Sequence, residues 1–230
     1  DTYITVTPIR RMIAEAMVRS VTTIPHAWTM IEVDVTSLVT VRNTHRQAVL
    51  ERERVDLTYL PFIIKMVVEA LRDNPTLNST WGGDKIILKS RINMGIAVAG
   101  PDGLIVPVIK NADQKSIIGL ANAVGDLTSK VRNKKLSIDD VQEGTFTLNN
   151  TGVLGSTTSQ PIINHPQAAI LTTEAIQKRP VVIQDAIAIR SMMNMCMSFD
   201  HRINDGAESS TFLQSIKRRI EAITENTPIY

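Results

Sequence analysis

The sequence predicts an α+β domain, a mixed sheet flanked by segregated helices rather than a series of βα repeats. Three observations predict it. The stretch "TYLPFIIKMVVEALRDNP" and the face made by Phe212, Leu213, Ile216, Ile220 and Ile223 have helical periodicity. In "SMMNMCMSF", Met193, Met195, Met197 and Phe199 alternate with Asn194, Cys196 and Ser198, the period of a strand. The apolar runs "NMGIAVA" and "GLIVPVI" are joined by Gly100, Pro101, Asp102 and Gly103, which is hairpin chemistry.

The elements follow in order. Thr7 and Pro8 suit the N-cap and first turn of a helix with Ile9, Met12, Ile13, Ala16 and Met17 on one face and Arg10, Arg11 and Arg19 off it. "HAWTMIEVDV", from His26, reads as a long strand, and a helix runs from about Thr36 to the charged stretch around Arg52. "TYLPFIIKMVVEALRDNP" is apolar on most sides and is expected to be central and buried. "KIILK" is a strand before the hairpin. A helix from Ser116 to about Asn133 leads through the acidic turn "SIDDV" to the strand "GTFTL". The polar loop "NNTGVLGSTTSQ" and the stretch "PIINHPQAAILTTEAI" precede the pair "RPVVIQDAIAIR" and "SMMNMCMSF". Gly103 and Gly152 read as turn glycines, and Met193 to Met197, with Cys196, as core.

Composition narrows the function. With 230 residues and 43% apolar content the chain fits one domain, residues 1–230, with a full core. Lys plus Arg exceed Asp plus Glu by only 25 to 23, so no global field draws it to nucleic acid or an anionic membrane. No apolar run approaches the ~18 residues of a membrane span. One Cys rules out an internal disulfide framework and a CxxC motif, and a reducing compartment is expected.

The chemistry concentrates in "DHRINDG". His201 falls at a strand end, where a ring can project into a cleft, and Asp205 with Glu208 has the spacing of a capping box on the following helix. His26, His45 and His165 read as structural or solvated. No His, Cys or acidic cluster gives a third ligand at an interpretable spacing, which argues against a metal.

These residues carry a resemblance. "DHRINDG" resembles the His-Arg-x-x-Asp-Gly signature of the dihydrolipoamide acyltransferases, the cores of 2-oxoacid dehydrogenase complexes. The similarity runs in order through "RRMIAEAM", "TIPHAW", "EVDVTSLVTVR", "LTYLPFIIKMVVEAL", "NPTLNS", "NMGIAVAGPDGLIVPVI", "GTFTLNNTGVLGS", "PIINHPQAAIL" and "MSFDHRINDGA". It covers the catalytic core; the lipoyl and peripheral-subunit-binding domains that such proteins carry upstream are absent from this sequence. The resemblance implies a fold like chloramphenicol acetyltransferase, trimers with the active site between subunits, and assembly of trimers into a cubic or dodecahedral cage. The apolar end of "NTPIY" then either docks on a neighbouring trimer or frays.

The implied reaction moves an acyl group between the thiols of dihydrolipoamide and coenzyme A. His201 matches the family's base. Where the family commonly has a Ser or Thr to bind the oxyanion, this sequence has Asn149, whose amide can donate instead; Asn150 and Thr151 are the neighbours able to substitute. Asp205 is expected to hold the strand-to-helix junction and orient His201 or Arg202. Arg202 itself is expected to turn away and pair, since a free cation beside imidazole would depress its pKa. Arg42 and Thr58 match coenzyme A contacts of branched-chain members, with Asn149 and Asn150 where the thiol end arrives. The implied partners are further copies of the chain, lipoyl domains, and, through the absent domains, the decarboxylase and dihydrolipoamide dehydrogenase components. The acyl group reads as branched-chain, else acetyl or succinyl, and the location as bacterial cytoplasm or mitochondrial matrix. A non-catalytic cage component and another coenzyme A-dependent acetyltransferase of this fold are the alternatives.

Overall fold

The computed structural model describes residues 1–100 and 103–230, so Pro101 and Asp102 of the expected turn lie outside the described residues. The helices are α1 (Pro8–Thr23), α2 (Thr36–Glu53), α3 (Leu60–Asp73), α4 (Ile117–Arg132) and α5 (Gly206–Glu221). The strands are β1 (His26–Asp34), β2 (Ser79–Trp81), β3 (Ile86–Leu88), β4 (Met94–Ile96), β5 (Val98–Gly100), β6 (Gly103–Ile105), β7 (Val108–Ile109), β8 (Phe146–Asn150), β9 (Ala169–Thr173), β10 (Gln177–Ile183) and β11 (Ala186–Asp200). The main sheet has the order β1-β11-β9-β8-β4-β7, with β10 added on β11. Only β8 pairs in parallel, with β4 on one side and β9 on the other, so the sheet is mixed as expected.

The two periodicities account for the core. Met193, Met195, Met197 and Phe199 of β11 join Phe62, Ile64 and Leu71 of α3 and Phe212, Ile216 and Ile220 of α5 in one buried cluster. Phe146 of β8 meets Phe212 edge to face at 5.8 Å, a preferred geometry for an aromatic pair. The intervening Cys196 is also buried, on the opposite face of the sheet, where the hydroxyl of Thr158 lies 3.6 Å from its sulfur. Caps fall where they were read: Thr7 accepts from the Arg10 N–H, and Ser116 from that of Gly119.

The expected hairpin around Gly103 forms: β5 pairs with β6, Gly100 facing Gly103, and after a break β4 and β7 continue the same register within the main sheet. Pro107 at the break has no N–H for the ladder, and its carbonyl instead accepts from Ile96. Three other elements depart from expectation. The segments "RPVVIQDAIAIR" and "SMMNMCMSF" meet elsewhere than expected. The turn is Gln184–Asp185, both at positive φ as a two-residue hairpin loop requires, and the chain from Ala186 to Asp200 is one strand. The apolar stripe of α1 is only partly covered, with Met12 69% exposed. The C-terminus neither frays nor stands free: Ile229 is buried in the main cluster, its carbonyl accepts from the Ile118 N–H, and Arg52 lies 4.6 Å above the Tyr230 ring.

Candidate active site

His201 follows directly on the last residue of β11. Its backbone N–H donates to the Pro25 carbonyl at 3.0 Å, which fixes the turn. Its ring is exposed, lies 5.7 Å from the ring of Phe199 and makes no hydrogen bond among the described residues. An imidazole held by its backbone and free at both nitrogens can take up and release a proton. Arg202 is turned away, as expected. Its Nη2 meets Asp200 at 2.6 Å, its Nε meets the same carboxylate at 2.9 Å, and its guanidinium stacks 5.2 Å above Trp81. Asp200 thus holds Arg202, a task first read into Asp205.

Asp205 caps α5. It accepts from the Ala207 and Glu208 N–H groups while Glu208 accepts from the Asp205 N–H at 2.7 Å, a complete capping box. The two donated N–H bonds, helped by Glu208 and by His201 nearby, hold the Asp205 carboxyl below its ordinary value. No hydrogen bond joins it to His201 among the described residues, so Asp205 sets where the turn sits without gripping the ring. The other histidines are structural or peripheral. His26 bridges the Ile24 carbonyl and the Ile163 N–H, and His165 is pushed down by burial and by Arg19 and Arg202.

The second group of expected residues gathers elsewhere. Arg42 donates from Nε to the Leu57 carbonyl at 2.8 Å and lies 5.0 Å above the Tyr59 ring. Thr58, between them in the chain, is exposed on a cleft of about 550 Å³ that α4 completes with Thr128, Ser129 and Arg132. Tyr59 lines a smaller cavity of about 210 Å³ with Ile63, Asn150, Thr173 and Met193. The hydroxyl of Thr173, which also lines it, is buried with no hydrogen-bond partner among the described residues. Alternation along β8 turns Asn149 to the opposite face from Asn150. The Asn149 amide is half-buried and unbonded among the described residues.

His201 and Asn149 are not brought together within one chain. The register sets Asn149 beside Thr172, and Thr172 beside Cys196. His201 lies five residues further along β11, roughly 17 Å along the sheet and two strand spacings of ~4.8 Å across. A site using both needs a second copy.

The residue that sequence reading missed is Glu174, at the end of β9. Its Oε1 accepts from Ser159 at 2.5 Å and Thr172 at 2.8 Å, and its Oε2 from Thr151 at 2.8 Å. Burial pushes the carboxyl up, but the hydroxyls of Ser156, Ser159, Thr151 and Thr172 outweigh it and hold it below its ordinary value. The one signal in the sequence was an acid closing the run "AAILTTE". Stability from this group is full above the ordinary pKa of 4.5 and is lost as pH falls through the depressed folded value. An acid titration followed by circular dichroism should show a loss beginning below pH 4.5 that Glu174→Gln makes shallower.

Gly152, read as a turn glycine, is needed for room. It is absent from the positive-φ glycines, which include Gly103 at φ 133°, but a Cβ on Gly152 would collide with the Glu174 carbonyl. Gly152→Ala should cost about 1–3 kcal/mol in denaturant unfolding, as overpacking does.

The mixed sheet flanked by helices defines the fold class, and a free histidine stands where one of its strands turns into a capped helix. Chloramphenicol acetyltransferase shares the fold at a TM-score of 0.55 over 95% of this chain and 99% of its own, at 12% identity. Within that class the chain belongs to the 2-oxoacid dehydrogenases acyltransferase (catalytic domain) family, whose model matches residues 1–227. It is 52% identical to the lipoamide acyltransferase component of the branched-chain alpha-keto acid dehydrogenase complex of Bacillus subtilis, over 100% of this chain and 54% of that protein. The chain therefore spans about half the length of such relatives. The crystal structure of a probable dihydrolipoamide acetyltransferase from Listeria monocytogenes superposes with a TM-score of 0.99 at 53% identity, covering 100% of this chain and 99% of that one. Two further structures, each with a TM-score of 0.94 at 33% identity over 96% of this chain and 92% of theirs, are the Azotobacter vinelandii dihydrolipoamide acetyltransferase and the cubic core of a pyruvate dehydrogenase complex. Work on the A. vinelandii enzyme concerned the roles of a serine, a histidine and an asparagine in its catalytic mechanism.

Proposed function

We propose that the chain is the acyltransferase core of a 2-oxoacid dehydrogenase complex, moving an acyl group between the thiols of dihydrolipoamide and coenzyme A. The observation that carries this reading is the exposed, unbonded ring of His201 within the family's signature. A free thiol titrates near ~8.5 and is mostly protonated at neutral pH. The His201 imidazole takes the S–H proton as that sulfur bonds to the thioester carbonyl carbon. The carbonyl oxygen becomes an oxyanion and accepts from the Asn149 amide of a neighbouring copy. Collapse re-forms the carbonyl, breaks the bond to the first sulfur, and that sulfur takes the proton back from the imidazolium. Arg42, Thr58 and Asn150 lie along the flank where coenzyme A would run. Asp205 supports the turn, and lipoamide arrives on a lipoyl domain.

The separation of His201 from Asn149 supports a trimer with the site between subunits. So do the exposed apolar side chains of the β10–β11 hairpin, Ile187 at 81% and Ile189 at 72%. Ile187→Asp with Ile189→Asp should shift the protein towards monomers in sedimentation while leaving its circular dichroism unchanged. Trimers then build a cage, by analogy with the cubic core, with the decarboxylase and dehydrogenase components as partners. The 52% identity to a branched-chain component favours a branched-chain acyl group over acetyl or succinyl. The buried, unpaired Cys196 fits a reducing compartment, taken here as bacterial cytoplasm.

The test is acyl transfer from isobutyryl-, acetyl- and succinyl-coenzyme A to free dihydrolipoamide. Isobutyryl is expected to give the highest kcat/KM. No transfer from any donor by the intact assembly would sink the enzymatic reading and leave a structural cage component.

A further inference from the structure

Glu174 is a buried ionisable group that the proposed mechanism leaves unused. It is 2% exposed and has no cationic partner among the described residues; the hydroxyls of Thr151, Ser159 and Thr172 donate to its carboxylate. A buried anion without a cation is costly to the fold, and a packed apolar residue would serve stability as well. Where the three hydroxyls come from bears on the site. Thr172 is the register partner of Asn149 across β8 and β9, Thr151 follows Asn149 by two residues, and Ser159 belongs to the loop that returns over both.

Each hydroxyl has one proton to give. Thr151 gives its proton to Glu174 Oε2, and Thr172 directs its own to Oε1. Thr151 is therefore spent as an oxyanion donor, and Asn150 faces the cavity by Tyr59 and Ile63. Asn149 and Thr172 are register partners that project from adjacent strands on one face, so whatever fixes Thr172 also fixes the backbone beside Asn149. Without Glu174 the Thr172 hydroxyl would keep only the Cys196 carbonyl at 3.2 Å and the Ser159 hydroxyl at 2.8 Å. We propose that Glu174 is a positioning residue: by binding Thr151, Thr172 and Ser159 it fixes the strand end from which the Asn149 amide meets the oxyanion. This rests on the acyltransferase reading above.

The test is a double-mutant cycle on the assembled protein, with Glu174→Gln and Asn149→Ala, reading kcat and KM for coenzyme A. Glu174→Gln alone should lower kcat about tenfold, the worth of one charge-assisted hydrogen bond, with KM held within about twofold. In the Asn149→Ala background the same change should cost less than about twofold, because residues acting through one another are not additive. Losses that multiply would overturn the proposal and make Glu174 a purely structural carboxylate. Should Glu174→Gln fail to assemble, Thr172→Val cuts the same link at nearly constant volume and enters the same cycle, with the same two outcomes. A wild type that transfers no acyl group defeats the acyltransferase reading itself. An active wild type with multiplicative losses defeats only the role of Glu174.

Discussion

His201→Ala should lower kcat/KM for acyl transfer by about 10²- to 10⁴-fold while leaving the assembly and its thermal unfolding unchanged. The size follows from the role proposed for His201, a general base taking a thiol proton at neutral pH. It corresponds to roughly 3–5 kcal/mol of transition-state stabilisation. The structural silence follows from the site: the ring is exposed and unbonded, and the bond that shapes the turn, His201 N–H to Pro25 carbonyl, survives in the variant. Because Arg202 is locked on Asp200, the change leaves the local charges where they are. Asp205→Ala gives the contrast. It removes the α5 capping box and should lower the melting temperature, with activity falling because the turn that carries His201 loosens. Steady-state kinetics beside calorimetry separates the two. Equal activity of His201→Ala and wild type would remove the base and with it the mechanism.

Much of this was legible in the chain because the strongest signals were local. Helix caps at Thr7, Ser116 and Asp205 depend on residues within three positions, and the period-two run of β11 depends on one core face. What was not legible was non-local or lacked its usual residue. The β10–β11 turn uses Gln184 and Asp185 at positive φ, where Gly or Asn would have announced it. Gly152 owes its identity to the Glu174 carbonyl, which only the return of β9 beside β8 brings near. The split of the hairpin near Pro107 depends on which strands win pairing in the main sheet. The site divides the same way. His201, Asp205 and Asn149 could each be proposed from the sequence, but the distance between His201 and Asn149 is a property of sheet register. Glu174 looked like the end of a strand until its hydroxyls were in place.

Asn149→Ala should cost about 10²- to 10³-fold in kcat with little change in KM, the size found when one oxyanion donor is lost. The split is expected because the amide meets the oxyanion only once the carbonyl has become tetrahedral, so ground-state binding is untouched. Asn149→Ser is the sharper comparison, since it installs the hydroxyl common at this place in the family. An amide offers two N–H donors in a fixed plane on a longer stem, whereas a hydroxyl has one proton that rotates to whichever acceptor is nearest. On this strand end the nearest hydroxyls are already committed to Glu174, and a serine would sit shorter and further from the neighbouring copy's His201. Asn149→Ser should therefore recover part of the activity that Asn149→Ala loses, and remain below wild type. Recovery to the wild-type rate would mean that reach is unimportant and any donor suffices. A variant no better than alanine would mean that the cradle built around Thr172 and Thr151 is matched to an amide. Either result is read from kcat at saturating coenzyme A, where differences in binding drop out.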